Sequence, residues 1–199
     1  FRLRRPRGRH RQGRLCRGSR RLLVVRRAHC GDADRANDAE AERCGRIAVD
    51  LTQRGFTARR FITADSLRNA AIAVSASGGS TNAVLHLVAI AAEAGVPFGV
   101  EDCNAACETA PVICDLRPGG QFLAHHLFQA GGTRLVLQRL MQAGKIIDTP
   151  TVSGRSLFVE AREAVETPSQ KVIRDFGAPV MPRGSYAVIA HIAGRGMLA

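Results

Sequence analysis

The sequence predicts an α/β chain in two parts: an α/β domain over residues 34–168 and the start of a β-rich domain over residues 169–199. Three observations carry this. Apolar residues recur at helical spacing between Asp34 and Ala164, extended segments punctuated by Pro179, Pro182 and Gly184 replace that pattern after Lys171, and the composition breaks sharply near residue 32. With 45% hydrophobic residues, no Trp and one Tyr among 199, the core has to be assembled from Ala, Val, Leu and Ile.

Residues 1–33 precede the domain. Residues 1–27 hold twelve of the 29 basic residues and no acid, so the other 17 basic residues face 17 acidic ones and the charge of +12 belongs to this arm alone. Without apolar periodicity, the arm reads as disordered. Three roles stay open for it: a grip on RNA or another anionic surface, an inert solvated tail, or an out-of-frame segment. A salt-dependent shift of labelled RNA that vanishes on deleting residues 1–27 supports the first, and absence of binding at low salt removes it. No stretch approaches the length of a membrane span, and Leu22-Leu23-Val24-Val25 is too short for a signal-peptide core. The expectation is a cytoplasmic protein whose six cysteines are reduced thiols or metal ligands.

Asp34 to Gly55 reads as the first helix, with Ala41, Cys44, Ile47, Ala48 and Leu51 on one face and Gly55 ending it. Thr63 caps a second, Asp65 suits its positive end, and Leu67, Ala70, Ala71 and Val74 form its expected buried stripe. Gly78-Gly79 breaks the chain. Ser80 or Thr81 then caps a third helix, ended near Ala94 by Gly95 and Pro97. This helix is apolar nearly all round, which predicts a central place in the core. Further helices are expected over Phe122–Gln129 and, capped by Thr133, over Arg134–Gln142. A strand at Thr151-Val152 enters another helix near Arg155–Ala164, and Val172-Ile173 and Tyr186–Ile189 read as strands.

The turn Gly78-Gly79-Ser80-Thr81-Asn82 places backbone amides and two hydroxyls at the start of a helix, where a carboxylate or phosphate can be held; the plainer reading is a well-capped helix behind a tight turn. It is no Walker loop, since no Gly-Lys-Ser/Thr occurs. Cys103-x3-Cys107-x6-Cys114 fits no common ligand spacing and reads as structural thiols. His125 and His126 are neighbours on a helix, so their rings are expected to diverge by roughly 100° and to share no metal. His86, in an apolar helix, reads as a hydrogen-bonded core residue.

Gly78 to Leu87, continued by Val88-Ala89-Ile90-Ala91-Ala92-Glu93-Ala94-Gly95-Val96-Pro97, resembles the signature stretch of the dihydroxy-acid and phosphogluconate dehydratase family. Ala130-Gly131-Gly132, Thr151-Val152-Ser153-Gly154-Arg155-Ser156-Leu157, and Val172-Ile173-Arg174 with Pro179 and Pro182 follow in the family's order. The resemblance covers residues 38–190. It implies a partial N-terminal α/β dehydratase domain followed by the first strands of a β-barrel-like C-terminal domain. It also implies a hydro-lyase that turns a 2,3-dihydroxy acid into a 2-keto acid in branched-chain amino-acid biosynthesis, with a sugar-acid (aldonate) dehydratase as the alternative. The family works as a homo-oligomer with an iron-sulfur cluster (2Fe-2S or 4Fe-4S) as Lewis acid, Mg on the carboxylate and 2-hydroxyl, and a serine base at carbon 2, because hydroxide leaves poorly and the carbon-2 proton is weakly acidic. None of those catalytic or metal-binding positions can be assigned in this chain, which is expected to be inactive alone and to bind no cluster. The residues expected to touch the small-molecule acid are Ser80, Thr81 and Asn82.

Overall fold

The structure, a computed structural model, describes residues 33–186. The Arg-rich arm and the strand residues Ala187 to Ile189 lie outside the described residues. Within them the chain forms helices α1 (Ala33–Gln53), α2 (Ala64–Ala76), α3 (Asn82–Ala94), α4 (Val100–Thr109), α5 (Ala124–Ala130), α6 (Gly132–Gln142) and α7 (Leu157–Arg162), with a 3-10 turn at Ala58–Arg60.

Helix α2 starts where its sequence says it should. Thr63 accepts from the Ser66 amide at 3.2 Å while Ser66 Oγ accepts from the Thr63 amide at 2.9 Å, so two otherwise unpaired amides satisfy one another's turn. Leu67, Asn69, Ala71, Ile72, Ser75 and Ala76 are buried, and α3, α4 and α6 all pack on this helix. The buried stripe is shifted from the expected one: Ala70 and Val74 are only half-buried, and Ile72 joins Leu67 and Ala71 inside. Asn69 adds a polar tie, its amide nitrogen donating to the Ile147 carbonyl at 2.7 Å and its oxygen accepting from the Ile147 amide at 2.9 Å.

Helix α3 corrects the sequence expectation most plainly. It is not the centre of the core: only Val84 and Ala91 are buried, and Leu85 is 70% exposed. Among the described residues α3 packs chiefly on α2 and α4, and Arg59 of the 3-10 turn donates to its Glu93 carbonyl at 3.0 Å, while Leu85 and Ala89 stay exposed. Gly95 ends it as expected, in the left-handed conformation at φ 72°. Helix α1 is more peripheral still. Cys44, Ile47 and Leu51 are half-buried, whereas Ala41 and Ala48, assigned to the same face, are exposed.

Gly131, not Thr133, precedes α6. Its φ of 133° suits glycine, and a Cβ there would lie 2.8 Å from the Val165 carbonyl oxygen. The helix then buries Leu135, Val136, Leu137 and Leu140. Helix α4, which periodicity alone did not mark, has Asp102 accepting from the Gly99 amide at 2.7 Å in its first turn.

The α/β expectation holds on its helical side, while among the described residues extended chain pairs only through isolated bridges: Val112 with Met181, Cys114 with Ile173, Leu116 with Phe122 and Pro150 with Ser156. No strand forms at Thr151-Val152. The Thr151 amide instead donates to the Arg155 carbonyl, closing a tight turn that Gly154 permits at φ 83°. Val172-Ile173 is limited to one bridge because both amides donate to Gln170 Oε1 at 2.8 Å, which removes them from any ladder.

The segment from Gln170 to Tyr186 thus runs as a strap across the helices. Arg174 faces the buried Asp115 at 3.5 Å, and Arg139 reaches Glu166 at 2.7 Å and Asp175 at 3.1 Å.

Candidate functional site

The Gly78–Asn82 turn is built by the end of α2. Ser77 Oγ donates to the Val74 carbonyl at 2.9 Å, Gly78 takes φ 70°, and the Gly79 amide returns to the Val74 carbonyl at 2.9 Å. Gly79 passes so close to α2 that a Cβ would lie 2.6 Å from Val74 Cγ1 and 2.9 Å from Val74 O. From below, Ile113 and Cys114 donate their amides to the Ala76 carbonyl at 2.9 and 3.2 Å. The turn is therefore fixed on two sides, and it delivers Ser80, Thr81 and Asn82 to the surface, all three exposed.

The structure brings these three residues together but narrows the anion cradle expected of them. Asn82 donates its amide to Ser80 Oγ at 3.3 Å, Ala83 to the Ser80 carbonyl at 3.0 Å and Val84 to the Thr81 carbonyl at 3.0 Å. Three first-turn amides are thus already engaged, and Thr81 makes no side-chain cap. What remains toward solvent is the Thr81 hydroxyl, the Asn82 carboxamide and the positive end of the α3 dipole. His86, four residues beyond Asn82, is exposed on the same face and not in the core as its apolar context suggested. A face carrying hydroxyl, carboxamide and imidazole can hydrogen-bond a small hydroxy acid, with exposed Leu85 offering apolar contact.

Neither metal-like cluster of the sequence behaves as a site. Cys103, Cys107 and Cys114 are free, buried thiols. Burial, with help from Asp102 and Cys107, pushes the Cys103 thiol up to about 11, and burial pushes Cys114 up to about 12. Metal ligation needs thiolates, and Cys107 spends its hydrogen on the Tyr186 carbonyl at 2.8 Å. Among the described residues no group of three or more His, Cys, Asp or Glu side chains could hold a metal ion. The described residues therefore offer no ligand set for an iron-sulfur cluster or Mg. The His125 and His126 rings, expected to diverge, lie 3.7 Å apart between centroids at 41°. His126 Nδ1 accepts from the Leu123 amide at 3.0 Å, so the side chain folds back to cap α5.

The raised thiols have a consequence at high pH. A folded-state value above the unfolded one means stability that is complete below pH 9 and is lost as pH rises through about 11 to 12. Burial raises Tyr186 in the same direction. Urea midpoints are expected to fall between about pH 9 and about pH 11, and to fall less in a Cys103→Ala/Cys114→Ala chain. Equal slopes for the two chains would contradict the assignment.

Sequence reasoning missed two buried carboxylates. Asp115 accepts from the Gln121 amide at 2.9 Å under the Pro118-Gly119-Gly120 loop, and Glu160 accepts from the hydroxyls of Thr151, at 3.0 Å, and Ser153. Only the turn residues around them could have signalled either. An open depression beside Glu160's loop is lined by Asp148, Thr149, Pro150, Gly154, Arg155 and Ser156, and none of the Ser80–Asn82 residues reaches it. No helix among the described residues is long and apolar enough to cross a membrane.

Comparison with known proteins gives one consistent result. A family model described as "Dihydroxy-acid/6-phosphogluconate dehydratase N-terminal" matches residues 22–160, beginning inside the Arg-rich segment. Dihydroxy-acid dehydratase of Roseiflexus sp. (strain RS-1) is 42% identical over 158 residues, 79% of this chain and 28% of the relative. That of Koribacter versatilis (strain Ellin345) is 41% identical over 150 residues, 75% and 26% respectively, and that of Chloroflexus aurantiacus (strain ATCC 29366 / DSM 635 / J-10-fl) 37% over 170 residues, 83% and 30%. The chain thus spans under a third of the length of these relatives.

Proposed function

Since this chain belongs to the dihydroxy-acid/6-phosphogluconate dehydratase family, we propose that it is a segment of a hydro-lyase that converts a 2,3-dihydroxy acid into a 2-keto acid in branched-chain amino-acid biosynthesis. In that reaction carbon 2 loses its proton and carbon 3 its hydroxide, and the enol formed becomes the keto acid. The observation that carries the reading is the identity of 37–42% over 150 residues or more with proteins bearing that one name.

Within this segment Ser80, Thr81 and Asn82 are the substrate contacts. The exposed Thr81 hydroxyl and Asn82 carboxamide can donate to the acid's carboxylate, and the α3 dipole favours its charge. They orient the acid; they do not break its bonds. The iron-sulfur cluster and Mg, like the homo-oligomeric state and the cytoplasmic location, are proposed for the whole family protein. Residues 169–199 are proposed to lead into its β-barrel-like domain.

The alternative within the family is a sugar-acid dehydratase. Competition on the full-length protein separates the two: a branched dihydroxy acid displacing an aldonate supports the branched-chain reading, and the reverse order supports the alternative. The 199-residue chain by itself is expected to form no 2-keto acid after iron-sulfur reconstitution with Mg present. Keto-acid formation above a protein-free blank would contradict that expectation.

A further inference from the structure

We propose that Gly184, Ser185 and Tyr186 are positioning residues for the Gly78–Asn82 turn, clamping the end of α2 so that Ser80, Thr81 and Asn82 keep one conformation. The consequence for function rests on the substrate-contact reading above; the clamp itself does not.

The strap meets α2 at two heights and the turn beyond it at a third. Tyr186 Oη donates to the Ala71 carbonyl at 3.4 Å, Gly184 lies over Ser75, and Ser185 Oγ donates to the Gly79 carbonyl at 3.5 Å. Between them sits a buried polar relay. Cys107 Sγ donates to the Tyr186 carbonyl at 2.8 Å, so at the 3.0 Å contact between Ser75 Oγ and Cys107 Sγ the hydroxyl is the donor. Ser75 is fully buried and Cys107 nearly so, and a chain of satisfied polar groups in such a place specifies one arrangement. Gly184 is held closely enough that a Cβ would overlap Ser75 Oγ and the Cys107 carbonyl and come within 2.7 Å of Cys107 Sγ. A strap residue of any other kind cannot seat there without moving Ser75, which is three residues before Gly78. Gly79, in turn, is caught between Val74 on one side and Ser185 on the other. Displacing the strap therefore removes one of the holds on the turn, at Gly79.

The test is amide hydrogen exchange on the 199-residue chain, read at Asn82, Ala83 and Val84, whose amides bond within the turn, with Leu135 to Leu140 of α6 as the reference for global opening. Gly184→Ala and Ser185→Ala are expected to speed exchange of the turn amides about tenfold while α6 changes less than about twofold, and Ser185→Thr, which keeps the hydroxyl, to restore the original rate. Alkylation of Cys107 should rise with Gly184→Ala. Should Gly184→Ala fail to fold, Ser185→Ala and Ser185→Thr carry the test alone. Turn amides exchanging at the wild-type rate in Ser185→Ala, or turn and α6 accelerating together, overturn the proposal. No substrate enters the measurement, so its failure leaves the substrate reading standing, and failure of acid binding leaves the clamp standing.

Discussion

Replacing Gly79 by Ala is expected to lower the stability of the folded chain by about 3 kcal/mol and to abolish the ordered Ser80–Asn82 turn, because the added methyl has nowhere to go. Its position is 2.6 Å from Val74 Cγ1 and 2.9 Å from Val74 O, and the second of these is backbone in the last turns of α2. Side-chain rotation at Val74 can relieve the first overlap but not the second. The chain must then lift from α2, losing the 2.9 Å bond from the Gly79 amide to the Val74 carbonyl. Gly45, whose Cβ position meets nothing within 4 Å, supplies the control: Gly45→Ala on α1 is expected to be neutral or to stabilise by up to about 1 kcal/mol. Urea denaturation of both variants decides it, and a Gly79→Ala chain as stable as the parent would refute the close approach.

The second large effect is expected at Ile72, which is fully buried in α2, the helix on which α3, α4 and α6 pack. Ile72→Ala removes three carbons from that junction and should cost about 2–5 kcal/mol, depending on how far the neighbours collapse into the space. The matching change in α3, Leu85→Ala, should cost less than about 0.5 kcal/mol because Leu85 is 70% exposed. The pair discriminates between two pictures of the core. Composition alone puts the apolar α3 at its centre; the packing puts α2 there. Denaturant midpoints in which Leu85→Ala is the more damaging substitution would restore the first picture.

What the residues announced and what they concealed follow one physical division. Helix starts and stops are local chemistry, and Thr63, Gly95 and the Gly78-Gly79 break could each be read directly from the chain. The side on which a helix finds its neighbours is not local. Ala83 to Ala91 is apolar enough to be surrounded, yet only Val84 and Ala91 are buried, because α2 and α4 lie on one side. The extended segments failed for a different reason. Val172 and Ile173 have strand propensity, but Gln170, two residues upstream, takes both amides with one side-chain oxygen.

The same division runs through the candidate site. The small and polar residues of Ser80-Thr81-Asn82 marked a special turn, and the structure exposes all three. Their amides were expected to be free for an anion, and three in the first turn of α3 are instead consumed by Ser80 Oγ, Ser80 O and Thr81 O. An acid held at this place would meet side chains more than a backbone cradle. His86 could have been added only by knowing that the far side of α3 is open. The three cysteines near α4 looked like ligands by residue type, whereas their burial keeps Cys103 and Cys114 protonated.

We propose that this dehydratase-family chain presents its Ser80–Asn82 turn to a small hydroxy acid. Titrating the isotope-labelled 199-residue chain with a branched 2,3-dihydroxy acid, and following amide and side-chain resonances, tests it most directly. The predicted result is a saturable shift confined to Ser80, Thr81, Asn82 and their neighbours on α3, lost in Asn82→Ala and absent with the corresponding amide in place of the acid. Shifts that centre on the Asp148–Ser156 depression, or a spectrum unchanged at saturating acid, would contradict the account.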